Sequence, residues 1–398
     1  MGNDSCAIAT PHVLWLHSHF LNWTGGHQFV YEVIMRLKKS YGLTLVASTA
    51  SPQAKAKFTE IGVDLRTVNV RSTNNALFWM TLPLQLSRES QHIHTITRAD
   101  PPRVTITSMF PMNVVAESIG APQVQLCWEP YALFWDRSYL RDFKLREKVF
   151  IRLARSLYGS MDIKATRKAR TVLTLSKFNK QWISDVYGRH DAGITYEGVD
   201  TLFFRPTRLQ DIDATYKGFK TILHSTDFTA IKGTEYLIRA LPFVKNAFPN
   251  LKVLVTHTLS NPVRQRQIQA LAHELGVLDV IEFLGRVDYD LLPAYYSRAD
   301  VVAQPSINQS MSLSVKEAMA CGTPVVTSLE GDEQTADGDA GFLADPRDSR
   351  GLGGALVRIL EDDALATRMG SRGRDIIASR FSWDAVAARF QQAIEETL

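Results

Sequence analysis

The chain has 398 residues, 45% of them hydrophobic and 22% charged, with a net charge of +4; at about 150 residues per domain this is material for two or three domains, and the balance excludes wholesale disorder. No apolar run reaches the roughly 18 residues that a membrane-spanning helix requires. The charge divides unevenly: residues 1–200 hold 24 Lys and Arg against 16 Asp and Glu, residues 201–398 hold 21 against 25, and between Arg137 and Arg170 11 basic residues face 3 acidic ones. A field so concentrated points to an anionic partner. It is not spread along the chain as in a nucleic-acid binder, and no RNP, zinc-finger or basic-zipper pattern is present, so no nucleic-acid partner is expected.

In chain order, Met1–Cys6 shows neither a basic n-region nor an apolar h-region, so no secretory leader is expected. Cys6 also stands where a myristoylation motif needs Ser or Thr. Val13–His17 reads as a strand, followed by the glycine pair Gly25-Gly26. Phe29, Val30, Val33, Ile34 and Leu37 then repeat at helical spacing. Leu43–Ala47, Arg66–Val70, Val104–Thr107 and Gln123–Cys127 read as further strands. After a join expected near Arg205-Pro206-Thr207, strands are expected at Thr221–Ser225, Leu251–Thr256, Val280–Leu284, Asp300–Ala303 and Pro324–Thr327. Strands alternating with helices imply parallel sheets covered on both faces, and two such series imply two Rossmann-like domains. Ligands in such sheets bind at the carboxyl ends of the strands, and with two sheets the natural site is a cleft between them.

No G-x-G-x-x-G follows a strand; Gly351-Leu352-Gly353-Gly354 follows a loop and reads as a helix-start turn, which argues against a hydride-transferring dinucleotide enzyme. Cys6, Cys127 and Cys321 lie far apart and suggest neither a disulfide framework nor a zinc cluster, a pattern that fits a reducing cytoplasm. His17-x-His19 and His92-x-His94 have the spacing that puts two imidazoles on one face of a strand. Without carboxylate or cysteine companions no metal site is expected.

The stretch Gln304–Val326 carries the chemistry: strand, small polar loop, short helix, glycine turn, strand. The loop Gln309–Ser312 opens onto a helix, so free backbone N–H groups and the positive helix end offer an anion site. Glu317, further into that helix, can accept hydrogen bonds from a diol such as a ribose; the alternative is a carboxylate that merely caps or pairs.

Pro305-Ser306, Glu317-Ala318-Met319-Ala320-Cys321-Gly322 and Pro324-Val325-Val326 match, position by position, the signature of the family 4 retaining glycosyltransferases, and the chain resembles that family along nearly all its length. Gly25-Gly26 matches its first glycine loop, Ser176-Lys177-Phe178 and Gly198-Val199-Asp200 its interdomain segment, Lys232-Gly233 with Tyr236-Leu237-Ile238 its K-G segment, and Phe283-Leu284-Gly285-Arg286-Val287 its F-x-G-x-V. Phe381-Ser382-Trp383 matches the start of the terminal helix.

The resemblance implies the GT-B fold: two Rossmann-like, doubly wound parallel-sheet domains of α/β class, facing across a cleft. Residues 1–205 would bind the acceptor and 206–380 the nucleotide sugar, with 381–398 returning to the first domain. It implies retaining, metal-independent transfer of a hexose from a nucleotide-diphosphate sugar, with no further cofactor, to a sugar, lipid-linked or other hydroxyl acceptor in glycan or glycolipid assembly. By matching positions, Lys232 would hold the diphosphate, Glu317 the ribose, Gln309, Ser310, Met311, Ser312 and Leu313 the sugar and phosphate, Arg286 and Val287 the base, and Gly26 the donor. Gly25, His27 and Trp128 would line the acceptor side. Trp135-Asp136 resembles the W-D of mannosyltransferase-like members, which slightly favours GDP-mannose, with UDP-sugars following closely.

Several positions depart from the pattern. The first glutamate of the family's pair is Gln309, which keeps hydrogen bonding but carries no charge. Thr226-Asp227 replaces a Gly-Arg pair, Met311-Ser312 replaces a phenylalanine and a glycine, and Trp128 stands for a histidine. These changes leave a competing reading, a non-catalytic GT-B subunit that binds a nucleotide or a partner transferase.

In the segment 140–158, Leu140, Phe143, Val149, Phe150, Leu153 and Leu157 recur at helical spacing with Lys144, Lys148, Arg152 and Arg155 among them. Two readings stay open: a solvated helix, or an amphipathic surface resting on the anionic inner face of a membrane.

Overall fold

Near-continuous apolar strands demand cover on both faces, and the chain supplies it with helices between successive parallel strands. The computed structural model describes residues 10–21, 23–68, 76–108, 110–136, 140, 143–257, 261–307, 312–328 and 338–398. They form two compact units, Met1–Tyr196 with Val386–Leu398, and Glu197–Ala385.

The first unit contains β1 (His12–Phe20), β2 (Gly42–Ala50), β3 (Leu65–Thr67), β4 (Val104–Thr107), β5 (Gln123–Leu126), β6 (Thr171–Thr174) and β7 (Gly193–Ile194). They pair in parallel in the order β3-β2-β1-β4-β5-β6-β7. Val13 to Leu16 of β1 are fully buried, as a central strand covered on both sides requires. Helix α1 (Gly25–Leu37) buries the expected stripe of Phe29, Val30, Val33, Ile34 and Leu37. Helices α2 (Ala76–Thr97), α3 (Leu145–Lys168) and α4 (Lys177–Tyr187) complete the frame used below. Trp79 of α2 and Ala154 of α3 share one core with Leu14, Val46, Phe110 and Phe134. Trp15 stacks on Phe390 with ring centroids 5.6 Å apart, and Arg389 donates to the Thr195 carbonyl at 3.0 Å.

The second unit contains β8 (Lys220–Thr226), β9 (Leu251–His257), β10 (Ile281–Gly285), β11 (Val301–Gln304), β12 (Val325–Thr327) and β13 (Gly341–Leu343), parallel in the order β10-β9-β8-β11-β12-β13. Helix α5 (Thr234–Ala247) lays Leu237, Ile238, Leu241 and Val244 on the sheet. Helix α6 (Leu313–Ala320) follows β11, and α7 (Trp383–Thr397) begins here. Val199 pairs with Ser382, its N–H donates to the Phe381 carbonyl at 2.8 Å, and a side chain on Gly198 would collide with the Trp383 indole.

Three details differ from the expectation. The chain passes to the second unit at Tyr196/Glu197, ahead of Arg205-Pro206, because Phe204 is already buried there among Tyr289 and Tyr296. The return comes at Ala385/Val386, inside the terminal helix and not at its start. His92 and His94 lie in helix α2, not in a strand, so their spacing of two turns the imidazoles apart. Strands β6, β7 and β13 carried no sequence expectation.

Candidate functional site

A parallel sheet whose order reverses opens a crevice where neighbouring strands send their loops to opposite sides. In the second unit that point lies between β8 and β11, and the two loops leaving it are stitched together. Ala230–Lys232 forms one tight turn closed by Gly233 in the left-handed region, at φ +69°. A side chain at 233 would drive into the Pro305 carbonyl of the other loop. Ile307 N–H donates to the Ile231 carbonyl at 2.8 Å, and Gln304 Nε2 reaches the Lys232 carbonyl at 3.4 Å. The turn therefore holds Lys232 half-buried at the crevice. Among the described residues its ammonium forms no ion pair or hydrogen bond.

Beneath the turn, His224 is fully buried. Its Nδ1 meets the Ala303 carbonyl at 2.8 Å and its Nε2 meets Thr234 Oγ1 at 2.9 Å. The carbonyl can only accept, so Nδ1 carries the proton. Burial, with the nearby Lys232 charge adding to it, lowers the pKa to about 4; the ring is a neutral brace joining β8, β11 and α5. Asp227, the residue standing in place of an arginine, accepts from Thr229 N–H at 2.9 Å and from its hydroxyl at 2.6 Å. Its carboxylate is oriented by the turn, its negative charge still reaches His224 and opposes the lowering of that pKa, and it forms no pair with Lys232.

The loop after β11 rises from a buried polar network. Gln304 Nε2 donates to Ser306 Oγ at 3.2 Å, Ser314 Oγ donates to Gln304 Oε1 at 3.4 Å, and Ser312 and Ser314 hydroxyls meet at 2.8 Å. This network fixes Ser312 and Leu313 at the start of α6. Gln309, Ser310 and Met311 lie outside the described residues. In α6, Glu317 accepts from the Tyr296 hydroxyl at 2.8 Å. Burial raises its pKa to about 7, opposed by that hydrogen bond and by the charges of Lys316 and Lys232. Lys232 and Glu317 thus share one field. Lys316 is fully buried, with its ammonium 3.1 Å from the Glu197 carbonyl and 3.5 Å from the Glu197 carboxylate. Arg286 and Val287 follow Gly285 at the end of β10, Arg286 exposed and Val287 partly buried. Neither bonds to Lys232 or Glu317 among the described residues.

In the first unit the order reverses between β1 and β4. Gly25 and Gly26 open α1, and Thr24 N–H donates to His27 Nδ1 at 3.3 Å, a reciprocal helix cap in which His27 takes the place of the usual glutamate. His17 Nδ1 and Ser108 Oγ lie 2.6 Å apart at the adjoining strand ends. Burial, with His27 and His19 nearby, holds the His17 pKa well below its ordinary value. The His27 ring lies 5.5 Å from that of His17 and 5.7 Å from that of His19. Trp128 packs edge-on against Phe29 at 4.9 Å and lies beside Gly26. Asn179 of α4 donates to the Trp128 carbonyl at 2.7 Å. Gly25, Gly26, His27 and Trp128 therefore lie near one another in the first unit. Trp135, by contrast, is tied down: its indole donates to buried Asp162 at 2.8 Å. Among the described residues no three His, Cys, Asp or Glu are grouped to hold a metal ion.

Sequence reasoning missed His224 as a brace, Tyr296 as the donor to Glu317, the Lys316–Glu197 pair and Asn179. The first three join residues tens of positions apart, which no local pattern encodes. Asn179 had a signal, being three residues beyond the helix-capping Ser176.

Residues 207–376 match the sequence profile of the family described as glycosyl transferases group 1. A D-inositol 3-phosphate glycosyltransferase of Xylanimonas cellulosilytica is 35% identical over 170 residues, 42% of this chain and 40% of the relative. Another, from Corynebacterium kroppenstedtii, is 30% identical over 217 residues, 52% of this chain and 48% of the relative. The chain thus spans less than half the length of these relatives. Among solved structures, a glycosyltransferase from Rickettsia africae superimposes with a TM-score of 0.75 at 16% identity, covering 97% of this chain and 98% of its own. HepE of Anabaena, in complex with UDP-glucose, gives 0.69 at 18% identity, covering 96% and 99%. The two Rossmann-like units are those of the GT-B fold.

Proposed function

From the match of residues 207–376 to the profile of the group 1 glycosyltransferases, we propose that this chain moves a hexose from a nucleotide-diphosphate sugar to an acceptor hydroxyl with retention of configuration. The observation that carries the reading is Lys232: a half-buried ammonium without an ion-pair partner among the described residues, held at the strand-order reversal and sharing its field with Glu317. A cation so placed suits the charge that grows on a departing diphosphate, and stabilising such charge is the largest catalytic contribution in most enzymes. Glu317 takes the ribose diol, Arg286 and Val287 flank the base, and the α6 N-terminus with Ser312 and Leu313 faces phosphate.

The acceptor hydroxyl attacks on the face that the diphosphate leaves, and the leaving oxygen takes its proton. No side-chain base and no metal is needed. Gln309, with Ser310 and Met311, acts as a neutral clamp on the sugar. Gly25, His27 and Trp128 receive the acceptor, a polyol or sugar hydroxyl in view of the inositol-phosphate relatives, and Gly26 serves the donor. HepE's UDP-glucose puts uridine donors beside the GDP-mannose that Trp135-Asp136 suggests.

The test is a panel of nucleotide sugars read by thermal shift and by product formation. A donor at one hundred times its dissociation constant adds about 2.7 kcal/mol of stability. Lys232→Ala should weaken donor binding about 10- to 100-fold, the worth of a charge-assisted contact, while the melting temperature moves by less than about 2 °C. Turnover unchanged by Lys232→Ala would overturn the assignment. Gln309→Ala should slow transfer about a hundredfold or more, and Gln309→Glu should be tolerated. A wild type that binds no donor in the panel would point instead to a non-catalytic subunit.

A further inference from the structure

Helix α3 is apolar on two sides. Toward the sheet it buries Ile151, Ala154 and Ala165. Roughly opposite, Leu145, Val149, Leu153 and Leu157 recur every fourth residue, each leaving between 56% and 77% of its surface in solvent. A lone exposed leucine is ordinary, but a continuous row on a helix that already has a core face marks a contact surface. The neighbouring α2, fastened by the Tyr158 hydroxyl to the Trp79 carbonyl at 2.8 Å, adds the exposed Met80 and Leu84.

The charge around the row is one-sided. Lys144, Arg146, Lys148, Arg152 and Arg155 interleave with it, and Glu147 is the one acidic residue between positions 143 and 161. That carboxylate is turned back to accept the Lys144 N–H at 2.8 Å. Lys148, Arg152 and Arg155 also line a recess of about 530 Å³ with Leu133, Leu140 and the carboxylate of Asp136, three cations to one anion and roomy enough for a phosphate-bearing headgroup.

We propose that this face of the first unit rests on an anionic lipid bilayer, the Leu145–Leu157 row entering the headgroup boundary while the cations meet lipid phosphates. A second copy of the chain would set the same five cations against their images, a like-charge juxtaposition that disfavours pairing. A bilayer supplies an apolar interior and a negative surface together. Among the described residues no helix is long and apolar enough to cross it, so the contact is peripheral. It is independent of glycosyl transfer, because vesicle binding is read without any substrate.

The experiment is co-sedimentation of the full chain with phosphatidylcholine vesicles, neutral or containing about one third phosphatidylglycerol. The wild type should bind the anionic vesicles at low salt, ignore the neutral ones, and release as salt rises. Lys148→Glu with Arg152→Glu should cost about fivefold or more per position. Leu153→Gln with Leu157→Gln should cost more than about tenfold while keeping the same salt dependence, and Leu145→Gln with Val149→Gln serves as an independent pair. Unchanged melting temperatures verify that these exposed positions leave the fold intact. No binding of wild type to anionic vesicles at low salt would overturn the proposal. So would binding that both apolar pairs leave untouched, or a dimer in solution that those pairs dissolve.

Discussion

At the scale of single residues, the carboxyl of Glu317 has the most to say about pH. Folded, it holds its proton to about pH 7, against an ordinary value of 4.5, because burial penalises the charge more than Tyr296 and the two lysines compensate. The stability it contributes is therefore complete below the unfolded value and drains away as pH rises from about 4.5 through 7, by up to about 3 kcal/mol. Replacing it with glutamine should flatten the denaturation midpoint across that window, measured by urea unfolding at pH 5 and pH 8. Binding runs the other way. A carboxylate accepts both hydroxyls of a ribose where the acid accepts less well, so donor affinity should rise as pH passes 7. Glu317→Gln should show a flat profile by calorimetry; a variant that keeps the wild-type slope would remove Glu317 from the ribose. The sequence identified this glutamate but not its titration, because Tyr296 and Lys232 come from other parts of the chain, and nothing in the sequence shows how deeply the carboxyl is buried.

Among elements, the turn Ala230–Gly233 shows why a lysine-glycine pair carries weight. The glycine is required twice, by its left-handed backbone and by the Pro305 carbonyl that crosses it. Gly233→Ala should cost about 2–4 kcal/mol, seen as a lowered melting temperature, and should weaken donor binding as well because Lys232 moves with the turn. A stable variant with normal binding would uncouple the turn from the site. Strands were readable where apolar runs are long: the fully buried centre of β1 and the helical stripe of α1 fall where periodicity puts them. Strand β6 follows directly on the basic end of α3, where no turn signal separates helix from strand. Strands β7 and β13, two and three residues long, are too short to carry a period. They exist because neighbouring strands offer them a ladder.

For the molecule as a whole, the sequence disclosed two Rossmann-like domains, but not where the chain changes unit. Proline and polarity marked Arg205-Pro206, whereas the contact that decides the matter is Phe204 already packed beside Tyr289 and Tyr296. The charge map was legible early, and its meaning sharpened once the leucines beside it proved to face solvent.

The pairing of Val199 with Ser382 has a consequence for how this protein can be taken apart. Entry to and exit from the second unit lie side by side, and in the first unit Thr195 touches Arg389 across the same two crossings. In chain terms the second unit is a cassette inserted into the first, and cassettes with adjacent ends fold alone and tolerate transplantation. Residues 197–385 produced by themselves should melt cooperatively and still gain heat resistance from the preferred nucleotide sugar. The remainder, with Tyr196 joined to Val386 by a few glycines, should retain its own fold and, with it, any affinity for vesicles. A fragment 197–385 that is unfolded by circular dichroism would show instead that the two halves can be made only together.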